Sequence, residues 1–112
     1  VSEWPSNNLV LNCESYNNND PSKNNADGFA CKLTAGYNNV FSGCSSHHNL
    51  DDGWDCYTKL ATGAIGPVQV ENCVAYRNGY QLNDDASETD WATVLVVTVS
   101  RWVAKTSMLL TT

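Results

Sequence analysis

LVLNCESYNN (residues 9–18) recurs as NVFSGCSSHHN (39–49) and as VQVENCVAYRN (68–78). Each copy carries one cysteine, and Cys13, Cys44 and Cys73 follow one another at intervals of 31 and 29 residues. Apolar and polar residues alternate before each cysteine, as they do in a short β-strand. The pattern therefore predicts a chain built from structural repeats of about 30 residues.

A second block repeats out of phase with the first. Residues 27–31 (DGFAC) match residues 52–56 (DGWDC) at an offset of 25 residues. Each copy opens a strand and ends near a glycine, Gly36 or Gly63. A repeat is thus a strand, a turn with asparagine, a second strand and a turn with glycine. Because no helical period separates the strands, the pattern predicts an all-β solenoid of the parallel β-helix type.

Equivalent residues of successive coils in such a solenoid stack about 4.8 Å apart. The spacing therefore predicts inward columns of cysteines and aromatic residues, and a ladder of asparagine amides at one turn. These columns are Cys13/Cys44/Cys73, Cys31/Cys56 and Phe29/Trp54, and the ladder is Asn18/Asn49/Asn78. Phe29 and Trp54 are expected to stack in the core, with a role as sugar platforms as the alternative. The segment NNDPSKNN before Asp27 is an insertion in the turn of the first coil.

The five cysteines are expected to be free, buried, small apolar side chains. One disulfide is the alternative, although stacked thiols rarely have suitable geometry for it. A zinc site with His47 and His48 is disfavoured, because the cysteines do not form CxxC pairs that converge on one point. The histidines are interpreted as turn residues beside the asparagine ladder.

Length and charge restrict the classes of function. The chain has 112 residues, which is one ordinary domain at most, and a formal net charge of -6. An acidic balance disfavours a groove for nucleic acid. Residues 1–90 contain no apolar run long enough for a transmembrane helix. We therefore expect no nucleic-acid partner, no membrane association and a monomer.

Four aspartates form the candidate metal site: Asp27, Asp51, Asp52 and Asp55. In the stacked coils, Asp27 and Asp52 occupy one column. Carboxylates this close repel one another strongly unless a hard cation lies among them, and calcium takes six to eight oxygen ligands. The string DDGWD alone favours a solvated turn, because Asp-Gly is common in turns. The stacked Asp27 shifts the interpretation towards a site for Ca²⁺.

Residues 7–82 resemble the family 9 polysaccharide lyases, which are pectate lyases with a right-handed parallel β-helix. The strings that carry the resemblance are NCESYNN, DGFACKLTAG, NVFSGC, NLDDGWDCYTK, GAIGPV and ENCVAYRNGY. It implies one Ca²⁺ bound by the four aspartates, polygalacturonate as the substrate and a secreted protein. It also implies β-elimination, in which a lysine on a following coil removes the C5 proton of galacturonate.

The sequence departs from the family at this base. The family's lysine is expected in a third copy of the DGFAC block, in the column shared by Ala30 and Asp55, and the chain has no such copy. Neither Lys32 nor Lys59 lies in that column, so no catalytic residue is assigned. We expect a lyase fragment that holds calcium with little or no activity. Non-catalytic calcium-dependent binding of acidic polysaccharide, or an incomplete solenoid without function, are the alternatives.

Three basic residues are candidates for contact with substrate carboxylates: Lys32, Lys59 and Arg77. The alternative for each of them is an ordinary solvated charge at the surface.

The end of the chain breaks the repeat. Residues 1–90 are expected to form a truncated β-helix of about three coils, and residues 91–112 a divergent tail. The tail is either an edge strand or cap, or the product of a frameshift. Regrouping the codon bases of residues 97–104 permits the peptide Gly-Asn-Gly-Phe-Lys-Met-Gly-Gly, which continues the second block and places a lysine in the base column.

Overall fold

The computed structural model describes residues 3–21, 25–79, 96–104 and 109–110, and within these ranges every regular element is a β-strand. In chain order the strands are β1 (Leu9–Leu11), β2 (Glu14–Tyr16), β3 (Phe29–Ala30), β4 (Asn39–Ser42), β5 (Ser45–His47), β6 (Trp54–Asp55), β7 (Val68–Tyr76), β8 (Val96–Ala104) and β9 (Leu109–Leu110). The first seven pair in parallel, coil upon coil. The predicted all-β parallel β-helix is confirmed.

The register of the coils follows the spacing of the repeats. On one face β4 lies between β1 and β7, so that Val10, Phe41 and Val70 form one column. On the next face β5 lies between β2 and β7. β3 pairs with β6 on a separate sheet, with Phe29 opposite Trp54. The repeat intervals of the sequence are therefore the intervals at which residues stack.

Backbone corners also recur once per coil. Three stacked positions adopt a left-handed conformation with positive φ: Asn7/Asn38, Asn12/Gly43/Asn72 before each cysteine, and Asn17/His48/Arg77 before each ladder asparagine. Asparagine and glycine tolerate this conformation better than other residues. The heavy use of asparagine thus has a backbone cause as well as a side-chain one.

The core is a stack of inward side chains. Trp54 is fully buried, and its ring centroid lies 5.0 Å from that of Phe29 and 6.0 Å from that of Phe41. Trp54 is therefore a core residue that offers no ring face to a sugar, and the half-buried Phe29 packs against the core. The indole N–H of Trp54 has no hydrogen-bond partner among the residues that the structure describes.

All five cysteines are free thiols. Cys44, Cys56 and Cys73 are buried, and burial raises the pKa of the Cys56 thiol to about 12. The expectation that all five are buried is wrong for Cys13, which is exposed, and for Cys31, which is half-buried. Cys13 lies between β1 and β2, and among the described residues no further coil covers these strands. The buried thiols pack as small apolar groups.

A second difference concerns the glycines. Gly36 stacks on Gly66 rather than on Gly63, because the Gly66 N–H donates to the Ala35 carbonyl and the backbones touch there. Gly63 instead closes a turn, in which its N–H donates to the Lys59 carbonyl at 2.9 Å. Only a glycine fits at position 66, since a Cβ there would collide with the Gly36 carbonyl.

The tail pairs in the opposite direction to the coils. β8 runs antiparallel along β7, with Val68 opposite Ala104 and Tyr76 opposite Val96. β9 runs antiparallel to β6. The predicted boundary at residues 90 and 91 lies outside the described residues. No helix within the described ranges is long and apolar enough to cross a bilayer.

Candidate metal centre

The asparagine ladder fixes the corner that leads into the site. The Asn18 amide donates to Asn49 Oδ1 at 2.7 Å, and the Asn49 amide donates to Asn78 Oδ1 at 2.9 Å. Asn49 and Asn78 are buried, so these bonds replace water that the amides have lost. The predicted ladder is confirmed, and its middle residue, Asn49, precedes Asp52 by three residues.

Two serines connect the ladder to the strands that carry the aspartates. Ser15 Oγ donates to the Gly28 carbonyl at 2.6 Å, and Ser46 Oγ donates to the Gly53 carbonyl at 2.9 Å. The ladder amide of Asn49 donates in turn to Ser46 Oγ at 3.1 Å. Sequence reasoning missed these serines, although both precede a ladder asparagine by three residues. The hydrogen bonds hold the two Asp-Gly strands against the opposite sheet.

Gly28 is required by this close approach. A Cβ at position 28 would collide with Ser46 Oγ and the Asn49 amide. The glycine brings the backbone after Asp27 against the polar pair, where the Gly28 N–H donates to the Asp52 carbonyl at 2.9 Å. The Asp-Gly dipeptide is therefore a packing requirement of the coil as well as a turn signal.

Three of the four predicted aspartates converge. Asp27, Asp52 and Asp55 each offer a carboxylate oxygen, and these oxygens lie within 4.8 Å of one another. Asp27 comes from the upper coil, and Asp52 and Asp55 come from the lower one. Among the described residues this is the group with the spacing of a metal site. Below, these three residues are called the acidic cluster.

Backbone groups orient two of the carboxylates. The Asp52 N–H donates to Asp27 Oδ1 at 3.1 Å, and the Tyr57 N–H donates to Asp55 Oδ1 at 2.8 Å. The remaining oxygens, both Oδ2, face the ammonium of Lys32 at 3.6 Å and 2.6 Å. Each carboxylate thus has one oxygen fixed by the backbone and one directed at a cation.

The acidic cluster is largely shielded from solvent and rich in negative charge. The side chains of Asp27 and Asp55 are only 8% and 9% exposed. Burial raises the pKa of Asp27, and the neighbouring Asp55 carboxylate adds to the effect, while the bond from the Asp52 N–H and the Lys32 charge oppose it. A cation bound among carboxylates held in this way would be strongly stabilised, because it offsets their mutual repulsion.

Asp51 lies beside the acidic cluster without joining it. Its carboxylate is not among the converging oxygens, and its N–H donates to the Ala26 carbonyl at 3.2 Å. Burial first, and then the charges of Asp52, Asp27 and Asp55, raise the pKa of Asp51 to about 6. Asp51 is therefore close enough to interact electrostatically with the acidic cluster and to add to its negative charge.

The donor set fits calcium. All the converging atoms are carboxylate oxygens, the ligand type that hard cations prefer, and no thiol or imidazole joins them among the described residues. Zinc instead favours cysteine and histidine. The fold supplies three carboxylates from two coils, with Asp51 in reach of their charge.

A comparison with protein-family models matched residues 1–91 to the Pel9A-like right-handed β-helix region. The chain belongs to this family. The Pel9A-like chain is thus a right-handed parallel β-helix, and its resemblance to the family 9 polysaccharide lyases is confirmed. No solved structure gave a significant match to it.

Several curated proteins are similar to this Pel9A-like chain. It is 66% identical over 79 residues to pectate lyase L of Thermoclostridium stercorarium, which covers 70% of this chain and 6% of that protein. It is 54% identical over 88 residues to pectate lyase L of Paenibacillus polymyxa (strain SC2), covering 78% of this chain and 19% of that protein. A pectate disaccharide-lyase of Dickeya chrysanthemi is 45% identical over 85 residues, which are 73% of this chain and 11% of that protein. The chain spans less than a fifth of the length of these relatives.

The three predicted substrate-binding residues have different surroundings. Lys32 pairs with the acidic cluster. Lys59 is exposed and begins the turn that Gly63 closes. Arg77 has a positive φ at the ladder corner, where its guanidinium lies 3.4 Å from His48 Nε2. Only Lys32 is brought into contact with the predicted metal ligands.

The two histidines belong to a separate surface column. The His47 ring stacks between those of Tyr16 and Tyr76, with centroid distances of 5.1 Å and 4.7 Å. His47 Nε2 lies 2.6 Å from a Glu14 oxygen. Because the stacked rings cover one another, the column presents ring edges along its side. His48 lies at the corner after β5, in agreement with the prediction of a turn residue. The prediction is wrong for His47, which lies in β5 itself.

Proposed function

We propose that this chain carries the calcium-binding portion of a secreted pectate lyase, an enzyme that cleaves polygalacturonate by β-elimination. The convergence of three carboxylates from two coils within 4.8 Å is the observation that carries the proposal. The pectate lyase names of the relatives support the choice of substrate class. By itself the chain binds the acidic polymer through calcium and cleaves it little or not at all.

In this proposal Asp27, Asp52 and Asp55 hold the ion, and Asp51 adds charge or a further oxygen. Bound calcium would neutralise a galacturonate carboxylate and so make its C5 proton more acidic. The chain's own residues would bind the ion and hold the ligand carboxylates in a fixed orientation. The Asp52 and Tyr57 N–H groups hold the Asp27 and Asp55 carboxylates in place before any ion arrives. Such preorganisation favours binding, since little ordering remains to be done.

The proposed loss of cleavage rests on the missing base. In the column of Ala30 and Asp55, the next residue of the sheet is Leu109 of β9, which carries no titratable group. A general base must be within hydrogen-bond reach of the proton that it removes. Re-reading the DNA that encodes residues 80–112 tests whether a frameshift removed the lysine, and an intact frame without one would refute that explanation.

The test uses the whole 112-residue chain with polygalacturonate. Ultraviolet absorbance reports the unsaturated product, and retention on immobilised polygalacturonate, with calcium or with EDTA, reports binding. We expect retention that requires calcium and absorbance at background. Rapid formation of unsaturated product would overturn the loss of cleavage. Equal retention in calcium and EDTA would overturn the calcium-dependent binding and leave the incomplete solenoid as the reading.

A further inference from the structure

Lys32 places a positive charge inside the acidic cluster. Its ammonium lies 2.6 Å from Asp55 Oδ2 and 3.6 Å from Asp27 Oδ2. The carboxylates come from successive coils, so one lysine bridges two rungs of the stack. The hydrogen bond to Asp55, followed by the charges of Asp55 and Asp27, raises the pKa of Lys32, although burial opposes it. Lys32 is therefore a charged counter-ion at neutral pH.

The ammonium uses the oxygens that a metal ion needs. The Oδ1 atoms of Asp27 and Asp55 accept backbone N–H groups, which leaves their Oδ2 atoms as the outward ligands. Calcium binds carboxylate oxygen at about 2.3–2.6 Å, so an ion on these two Oδ2 atoms would overlap the ammonium or lie against it. Two cations in that space repel each other strongly. One of them has to leave.

Lys32 is able to leave. Its side chain is 31% exposed, whereas the two carboxylates are less than a tenth exposed. It also lines a pocket of about 310 Å³ together with Ala30 and Thr34, so open space adjoins the residue. A lysine ammonium is a compact charge on a flexible stem and can swing without moving the backbone. The carboxylates, fixed by backbone donors, cannot swing away as easily.

We propose that Lys32 and the divalent cation compete for Asp27 and Asp55. When the cation binds, it displaces the Lys32 ammonium, which then pairs with a carboxylate of the acidic polysaccharide. The inference rests on the proposed calcium site and deepens it. Before the metal binds, Lys32 offsets one negative charge of the cluster, and its ammonium is held on Asp27 and Asp55 rather than offered to substrate. After the metal binds, the same charge stands beside the site, tethered next to β3. Metal binding and polymer binding are thereby coupled.

The test compares Lys32→Met with the wild-type chain. Methionine keeps an unbranched apolar stem and removes the charge. Calorimetric titration with calcium chloride should give a Kd about tenfold lower for Lys32→Met, since the internal competitor is gone. Lys59→Met removes the same charge from an exposed turn, and its calcium Kd should stay within about twofold of the wild-type value. Lys32→Arg, which keeps the charge, should not gain affinity.

The second measurement is of oligogalacturonate binding, which Lys32→Met should weaken although it strengthens calcium binding. At saturating calcium, a short oligogalacturonate should bind Lys32→Met about fivefold more weakly than wild type, because the released ammonium is missing. If Lys32 formed only a structural ion pair, its removal would not both strengthen calcium binding and weaken oligogalacturonate binding. Unchanged or weaker calcium binding in Lys32→Met would overturn the competition. Equal oligogalacturonate binding would overturn the transfer.

The wild-type chain supplies a control that needs no variant. Nitrogen NMR of the lysine ammonium groups should show the Lys32 signal moving on calcium addition, as it loses Asp55. If wild type binds no calcium at millimolar concentration, the proposed function itself fails. If wild type binds calcium while the Lys32 signal stays in place, the calcium site stands and the competition fails.

Discussion

Two polar columns run along the coils of this β-helix, the asparagine ladder and the acidic cluster, and stacking has opposite consequences for them. In the ladder, each asparagine offers a donor and an acceptor, so Asn18, Asn49 and Asn78 satisfy one another. In the acidic cluster, each carboxylate only accepts, so stacking accumulates charge. The ladder is complete in itself, whereas the cluster requires N–H donors, Lys32 or a metal ion.

The comparison separates stability from function. The ladder lies in the interior, and its bonds hold the register of the coils. The cluster lies beside it and relies on that register, because its ligands come from two coils. A change in the ladder should therefore disturb folding, and a change in the cluster should disturb binding while the fold improves or stays the same.

The largest effect is expected from breaking the ladder at its centre. Asn49→Ala removes the acceptor of both the backbone N–H and the amide of Asn18, and it removes one of the two donors to the buried Asn78 Oδ1. Each buried polar group left unpaired costs about 1–3 kcal/mol. The free energy of unfolding should fall by about 3 kcal/mol or more in urea denaturation. The exposed Asn19→Ala is the matched control and should change it by less than about 0.5 kcal/mol. Similar losses in the two variants would contradict the assignment.

A smaller effect is expected when one carboxylate is converted into a ladder-type amide. Asp27→Asn keeps the Oδ1 atom that accepts the Asp52 N–H and removes one charge. The calcium Kd should rise at least about tenfold, which corresponds to about 1.4 kcal/mol. In EDTA the melting temperature should hold or increase, because repulsion is relieved. A variant with wild-type calcium affinity would exclude Asp27 as a ligand.

The smallest effect is a pH dependence carried by Asp51. Its pKa of about 6 in the folded chain lies above the ordinary 3.8, so the folded state binds more protons over that interval. The contribution of Asp51 to the free energy of unfolding therefore falls as the pH rises from about 4 to about 6. Comparing the free energy of unfolding of wild type and Asp51→Asn as a function of pH, in EDTA, isolates this contribution. The two curves should diverge across this interval, and parallel curves would show that Asp51 lies outside the cluster's field.

Much of the architecture could be predicted because a solenoid converts sequence intervals into spatial columns. Cys44 and Cys73 are buried, Phe29 and Trp54 stack, and the asparagine amides pair, as their spacing requires. The same intervals carried the serine signal at Ser15 and Ser46, which was overlooked. They did not predict the exposure of Cys13, because an interval says which residues stack but not whether a further coil covers them.

The sequence by itself determined the fold, the family and the alignment of Asp27 with Asp52, since all three follow from repeat spacing and motif. Only the tertiary structure decided which atoms of the aligned residues meet. It placed Asp51 beside the oxygens rather than among them, and it turned Lys32 towards Asp27 and Asp55. The physical reason is that stacking fixes backbone positions, whereas rotamers, burial and charge decide the partner of each carboxylate.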